Sequence, residues 1–126
     1  MTLPDADRNH GLLIEPTLRL AFIACEGNDK LFVMDLSSKK IVARFNVGKG
    51  PDVLAYDGGL GLLYVASESG MASRFKVNGK SVTKAGEEFI GPDAHTLALD
   101  PSNHEVYFPI NKVGQHPVLR ILRPVP

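Results

Sequence analysis

The strongest constraint on the fold is a sequence pattern that occurs three times. The segments are NHGLLIEPTLRLAFIAC (residues 9–25), PDVLAYDGGLGLLYVAS (51–67) and AHTLALDPSNHEVYFPI (94–110). Each begins near a polar residue, runs through apolar residues to an acid and a turn, and ends in a strand containing an aromatic residue. Such self-similarity predicts a repeat architecture, in which each copy forms one supersecondary unit that stacks on the next.

The spacing of matched residues indicates a period of about 42. An acidic residue ends the first strand of each unit, at intervals of 42 and 43 residues: Glu15, Asp57 and Asp100. An aromatic residue follows each acid seven positions later: Phe22, Tyr64 and Tyr107. A polar residue lies five positions before each acid: His10, Asp52 and His95. A period near 42 with about four short strands per unit is typical of a propeller blade.

The local sequence is that of an all-β chain. Runs such as KLFVMDL, KIVARFNV, LLYVAS and EVYFPI are short, rich in β-branched and aromatic residues, and bounded by turn formers. Glycine and proline make up 21 of the 126 residues, which leaves no room for a long amphipathic helix. The dipeptide Asn78-Gly79 predicts a type I′ hairpin turn.

Charge and cysteine content narrow the function classes. Fourteen basic and 14 acidic residues give a net charge of zero, which disfavours nucleic acid or an anionic membrane as a partner. Cys25 is the only cysteine, so the chain has no internal disulfide and no cysteine-based zinc site. The opening MTLPDADRNH lacks signal-peptide features. We therefore expect a cytoplasmic protein, or a periplasmic or secreted one if a leader has been removed.

Three longer segments extend the repeat: residues 30–52 (KLFVMDLSSKKIVARFNVGKGPD), 47–67 (VGKGPDVLAYDGGLGLLYVAS) and 90–110 (IGPDAHTLALDPSNHEVYFPI). They resemble the YVTN-type β-propeller repeat family, which is WD-repeat-like in architecture. The resemblance covers residues 9–124. Two positions depart from it: Ser67 stands where the family usually has asparagine, and Pro109 interrupts a strand. The resemblance implies the fold, and it implies no single function because such propellers host binding proteins, scaffolds and enzymes.

The repeat organises the chain into an N-terminal arm, residues 1–9, and a three-blade propeller unit, residues 10–126. Its blades span about 10–50, 51–93 and 94–126. Closed propellers typically have four to eight blades, and the third blade lacks an outer strand because only Val125 and Pro126 follow PVLRILRP. We predict that self-association completes the ring, giving six blades in a homodimer. The alternative is a fragment of a larger secreted propeller.

The polar residue of each repeat marks a candidate site. The first strand of a propeller blade lines the central channel, so we expect His10, Asp52 and His95 near one channel mouth. They are the candidate ligand-binding residues. Imidazole and carboxylate groups also suit a zinc-class divalent ion, which makes the same three residues candidate metal ligands and the metal the one candidate cofactor. The alternative is the ordinary polar lining of a wet channel.

Other residues are assigned structural roles. Cys25 is expected to act as a small hydrophobic residue, and His104 and His116 as solvated loop residues. The repeated acids are expected to accept turn N–H groups. We therefore predict a non-catalytic binding or scaffold protein whose partners are itself and a small molecule or protein yet to be identified. The alternative function is a metal-assisted, lactonase-like hydrolase using His10, Asp52 and His95.

Overall fold

The computed structural model describes residues 1–124 and consists of three antiparallel β-sheets. The strands are β1 (Asn9–Glu15), β2 (Leu20–Cys25), β3 (Lys30–Asp35), β4 (Lys40–Asn46), β5 (Pro51–Asp57), β6 (Leu62–Ser67), β7 (Met71–Asn78), β8 (Ser81–Phe89), β9 (Ala98–Asp100), β10 (Glu105–Val113) and β11 (His116–Leu122). Within this described range the chain forms no helix, and hence none that could cross a membrane. The all-β prediction is confirmed.

Each repeat forms one sheet of sequential strands. Blade 1 contains β1–β4, blade 2 contains β5–β8, and blade 3 contains β9–β11, with neighbouring strands in chain order in every sheet. The first strand of each repeat therefore lies at one edge of its sheet. Blade 3 has three strands within residues 1–124, as the sequence predicts. The prediction that blade 3 lacks an outer strand also depends on Val125 and Pro126, which lie outside the described residues.

Adjacent blades bury an apolar layer between them. Blades 1 and 2 enclose one cluster: Leu20, Phe22, Leu31, Val33, Val47, Leu63, Val65, Phe75 and Val77. Blades 2 and 3 enclose a second: Tyr64, Ala66, Ala72, Ile90, Ala94, Leu97, Val106, Phe108 and Ile110. Alternate residues of a strand point to opposite faces, so blade 2 contributes to both layers. Stacking, and not any one sheet, supplies the core.

The N-terminal arm packs against blade 1 on the face that points away from blade 2. Leu3 and Ala6 contact a small cluster formed by Ile23, Cys25 and Phe32. Backbone bonds hold the arm there, because the N–H of Gly27 donates to the Asp7 carbonyl at 2.9 Å. Burial raises the pKa of the Cys25 thiol, and this residue is fully buried, which confirms its role as a small hydrophobic residue.

Two local predictions are wrong. Asn78 pairs with Ser81, so the hairpin turn consists of Gly79 and Lys80. Of these only Gly79 has positive φ, which fits a type II′ turn and not type I′. Pro109 does not interrupt its strand, since β10 continues through it. The pairing of β9 with β10 ends at Tyr107, so Pro109 has a strand on one side only, where a missing N–H is tolerated.

Candidate functional site at the channel mouth

The three polar residues of the repeat come together around the carboxylate of Asp52. His10 Nε2 lies 3.0 Å from Asp52 Oδ1, and His95 Nε2 lies 3.8 Å from Asp52 Oδ2. Each carboxylate oxygen therefore faces an imidazole from a neighbouring blade. Sequence spacing predicts that the three positions are equivalent, and the structure adds that their side chains converge.

β-Bulges position two of these residues. The register of β1 with β2 shifts between Asn9 and Gly11, and the register of β5 with β6 shifts between Pro51 and Val53. His10 and Asp52 are thus the extra residues of two matching bulges. A bulge residue is left out of the ladder and its side chain is re-aimed, which accounts for their turning toward each other.

Gly11 allows the two inner strands to approach at this point. A Cβ atom added there would lie 2.3 Å from the backbone oxygen of Asp52 and 2.7 Å from a methyl group of Leu54. Any side chain would therefore push β1 away from β5. The absence of a side chain at Gly11 keeps His10 within hydrogen-bonding distance of Asp52.

His95 is held in place by its own turn. Its Nδ1 lies 2.9 Å from the carbonyl oxygen of Asp93 and 3.2 Å from Asp93 Oδ1. A carbonyl only accepts, so Nδ1 carries a proton, while Nε2 faces the Asp52 carboxylate. Burial by itself would lower the pKa of His95. The hydrogen bonds and charge of Asp93, together with the charge of Asp52, outweigh it and raise the pKa.

The raised pKa makes a pH-dependent prediction. By NMR titration, His95 is expected to protonate above its ordinary pKa of about 6.5, and Asp93→Asn should lower that pKa because one negative charge is lost. Protonated His95 stabilises the folded chain. This stabilisation is complete below the ordinary pKa and is lost as the pH rises through the raised pKa of His95. Asp5→Asn, in the N-terminal arm, is the control and should leave the pKa unchanged. An identical titration in the Asp93→Asn chain would contradict this account.

Metal binding by this cluster stays a prediction. Among residues 1–124 no set of three or more histidine, cysteine, aspartate or glutamate side chains has an arrangement suited to a metal ion. In the observed geometry His10 Nε2 lies at hydrogen-bonding distance from Asp52, whereas His95 Nε2, at 3.8 Å, is near enough for a charge interaction and too far for a hydrogen bond.

A second polar contact, which the sequence did not reveal, joins blades 2 and 3. Asp57 is fully buried, and its Oδ1 accepts the N–H groups of Gly59 and Leu60 at 3.0 and 3.3 Å. Its Oδ2 lies 2.7 Å from His104 Nδ1.

The predicted turn role of the repeated acids is confirmed: Glu15 and Asp100 also accept a turn N–H. The prediction of a solvated His104 is wrong, because its ring is tied to the buried carboxylate, whereas His116 is exposed at the start of β11.

A repeat-based signal for His104 exists in the sequence. Counting from the repeated acid, His104 occupies the position of Arg19 in blade 1 and Gly61 in blade 2. All three have positive φ, of 57°, 65° and 65°. The turn therefore has the same backbone geometry at this position in all three blades. In blade 3 the side chain at this position, His104, points to the preceding blade.

Three sheets that stack through shared apolar layers, with a polar cluster at the start of the first strands of blades 1 and 2, define a partial β-propeller. Solved structures agree. The chain is similar to a putative 6-phosphogluconolactonase from Bacteroides uniformis (TM-score 0.71, 19% identity, 99% of this chain and 41% of that one). It is also similar to a putative 6-phosphogluconolactonase from Bacteroides fragilis (0.74, 12%, 86% and 33%) and to Sqt1 of Saccharomyces cerevisiae (0.69, 15%, 93% and 34%).

These proteins are β-propellers, and identities this low show the fold alone. The chain spans well under half the length of each of the three. No family model and no curated protein matches the sequence.

Proposed function

We propose that this chain is a non-catalytic binding protein of the YVTN-type propeller family, whose ring is completed by a second copy and whose ligand site is the channel mouth. The observation that carries the proposal is the convergence of His10 and His95 on the two oxygens of Asp52. Two bulges turn His10 and Asp52 out of their strand ladders, and Gly11 lets β1 approach β5 closely enough for the two side chains to meet.

The open face of blade 1 supports self-association. Leu12 and Ile14 lie on that face and are 65% and 53% exposed. Their equivalents one repeat later are Leu54 and Tyr56, which pack into the layer between blades 1 and 2. Tyr56 stacks on the Phe22 ring at a centroid distance of 6.3 Å. The N-terminal arm covers Ile23, Cys25 and Phe32 on this face. Beside the arm, Leu12 and Ile14 are interface residues without a blade in front of them.

The open face of blade 3 also carries exposed apolar residues, at the positions by which a blade contacts the next one. Leu119 and Ile121 are 56% and 48% exposed there. By strand register they correspond to Leu31 and Val33 of blade 1, which are fully buried against blade 2. Blade 3 of one copy therefore fits blade 1 of another in the way that blade 1 fits blade 2. Two copies would give six blades about a two-fold axis, within the usual range for closed propellers.

The binding proposal is tested with 6-phosphogluconate and gluconate, polyhydroxylated acids that offer hydroxyl groups to Asp52 and a carboxylate to protonated His95. Both probes are expected to shift the imidazole NMR signals of His10 and His95. The signal of His116, which is exposed on β11, is the control and should not move. Equal shifts at all three histidines, or no shift at any, would contradict a ligand site at the mouth.

The second candidate function is a metal-assisted hydrolase that uses the same three residues. The names of two similar structures, putative 6-phosphogluconolactonases, and the His–Asp–His composition favour it. A bound divalent ion would supply an activated water. His10, Asp52 and His95 would have to leave their observed arrangement, which does not suit a metal ion, in order to hold it. Lactone hydrolysis that depends on added zinc, manganese or calcium and is lost in a His10→Ala/His95→Ala chain would select this function over the first.

A further inference from the structure

The contact between Asp57 and His104 provides a template for how one copy meets the next. His104 is the last residue of the turn that precedes the second strand of blade 3, and Asp57 is the last residue of the first strand of blade 2. Their side chains join across the blade interface at 2.7 Å. A residue at the turn position thus reaches back to the repeated acid of the preceding blade.

The same two positions on the open faces carry opposite charges. Arg19 holds the turn position of blade 1, with positive φ like His104, and is exposed. Asp100 holds the acid position of blade 3, where its Oδ1 accepts the N–H of Ser102 much as Asp57 Oδ1 accepts that of Gly59. Within residues 1–124 no ion pair involves either Arg19 or Asp100.

We infer that a second copy of this chain docks blade 1 against blade 3, with Arg19 paired to Asp100 of the partner subunit. The inference rests on the proposed self-association and names the contact that aligns it. A two-fold ring contains two such pairs, one at each junction, because every copy offers both faces. A guanidinium stays charged at every working pH. Oδ1 of Asp100 accepts both the N–H and the hydroxyl of Ser102, which leaves Oδ2 for Arg19 in the way that Oδ2 of Asp57 faces His104.

The junction between blades 1 and 2 shows that this contact is not a general requirement of the repeat. The turn position of blade 2 is Gly61, which has no side chain to reach Glu15. That junction uses another ion pair, Lys80 Nζ to Asp35 Oδ1 at 2.6 Å. Ionisable side chains at both the acid and the turn position therefore occur at the junction of blades 2 and 3 and across the two open faces, and not at the junction of blades 1 and 2.

The test uses two charge reversals in the full chain, Arg19→Asp and Asp100→Arg, with association measured by sedimentation equilibrium. Each single variant places like charges at both junctions, and its homodimer dissociation constant is expected to rise about tenfold or more. Mixing the two variants restores opposite charges at both junctions, because one chain carries Asp at both positions and the other carries Arg. The mixture is therefore expected to form a heterodimer close to wild-type affinity.

Glu15→Lys is the matched control, since Glu15 faces the internal junction, and it should leave association unchanged. The Arg19–Asp100 pair would be overturned, with self-association intact, by either of two results. One is a single variant that dimerises with the wild-type dissociation constant. The other is a mixture of the two variants that associates no more tightly than each variant alone. A wild-type chain that stays monomeric at every concentration would overturn self-association itself, and this inference with it.

Discussion

Chains carrying Leu119→Lys and Ile121→Lys together are expected to have half the mass of the wild-type chain in solution. Both side chains are about half exposed on the open face of blade 3, where their blade 1 equivalents, Leu31 and Val33, are fully buried. Complete burial of one such side chain contributes about 1.5–3 kcal/mol, and a two-fold ring has two junctions. Replacement by lysine removes this term and adds buried charge. Light scattering on a sizing column measures the result.

Phe89→Lys is the control for that experiment. Phe89 is a large, 59% exposed apolar residue at the end of β8, in the blade that already has a neighbour on each side. Its replacement also adds a positive charge, and it should not change the mass. A dimer that survives both lysines on β11 would show that the open face of blade 3 is not the contact surface.

Asp57→Ala is expected to lower the free energy of unfolding by about 3 kcal/mol, since three hydrogen bonds are lost and each contributes about 0.5–1.5 kcal/mol net. The change removes the acceptor for three donors: the N–H groups of Gly59 and Leu60 and the ring of His104. Urea unfolding measures it, with the wild-type and variant chains at the same concentration because association contributes to apparent stability.

Glu15→Ala is the matched variant for this second prediction. Glu15 occupies the same repeat position in blade 1, is only partly buried, and accepts one N–H, that of Thr17. We expect a loss below about 1 kcal/mol, within the net value of a typical hydrogen bond. Equal losses for the two variants would mean that Asp57 acts only as a turn residue and that its contact with His104 stabilises nothing.

Much of the fold could be predicted from the repeat because its signals are local. The acid and aromatic positions lie in one strand pair, so Asp57 and Tyr64 determine where the first strand ends and the second packs. The end of the first strand of blade 3 could be placed in the same way, from Asp100 and Tyr107. Both predictions depend on alternation and turn chemistry, which act over a few residues.

The site could be predicted only as a set of equivalent positions. Convergence of His10 on Asp52 depends on two bulges, and a bulge follows from pairing between strands and not from the sequence of one strand. The His104–Asp57 contact joins residues 47 positions apart, so the sequence shows the repeat position of each residue but not that the two side chains meet. The sequence predicts a turn at Asn78-Gly79, one residue before the observed turn at Gly79 and Lys80, because strand register decides which residues form the loop.

The most direct test of the account is the absolute mass of the wild-type chain across a dilution series, by light scattering. A closed two-fold ring predicts a stable mass of twice 13.7 kDa over a wide range of concentration, because two junctions must open together before a copy is released. A mass of 13.7 kDa at all concentrations would contradict the central claim: the open faces of blades 1 and 3 would then not be contact surfaces between copies of this chain.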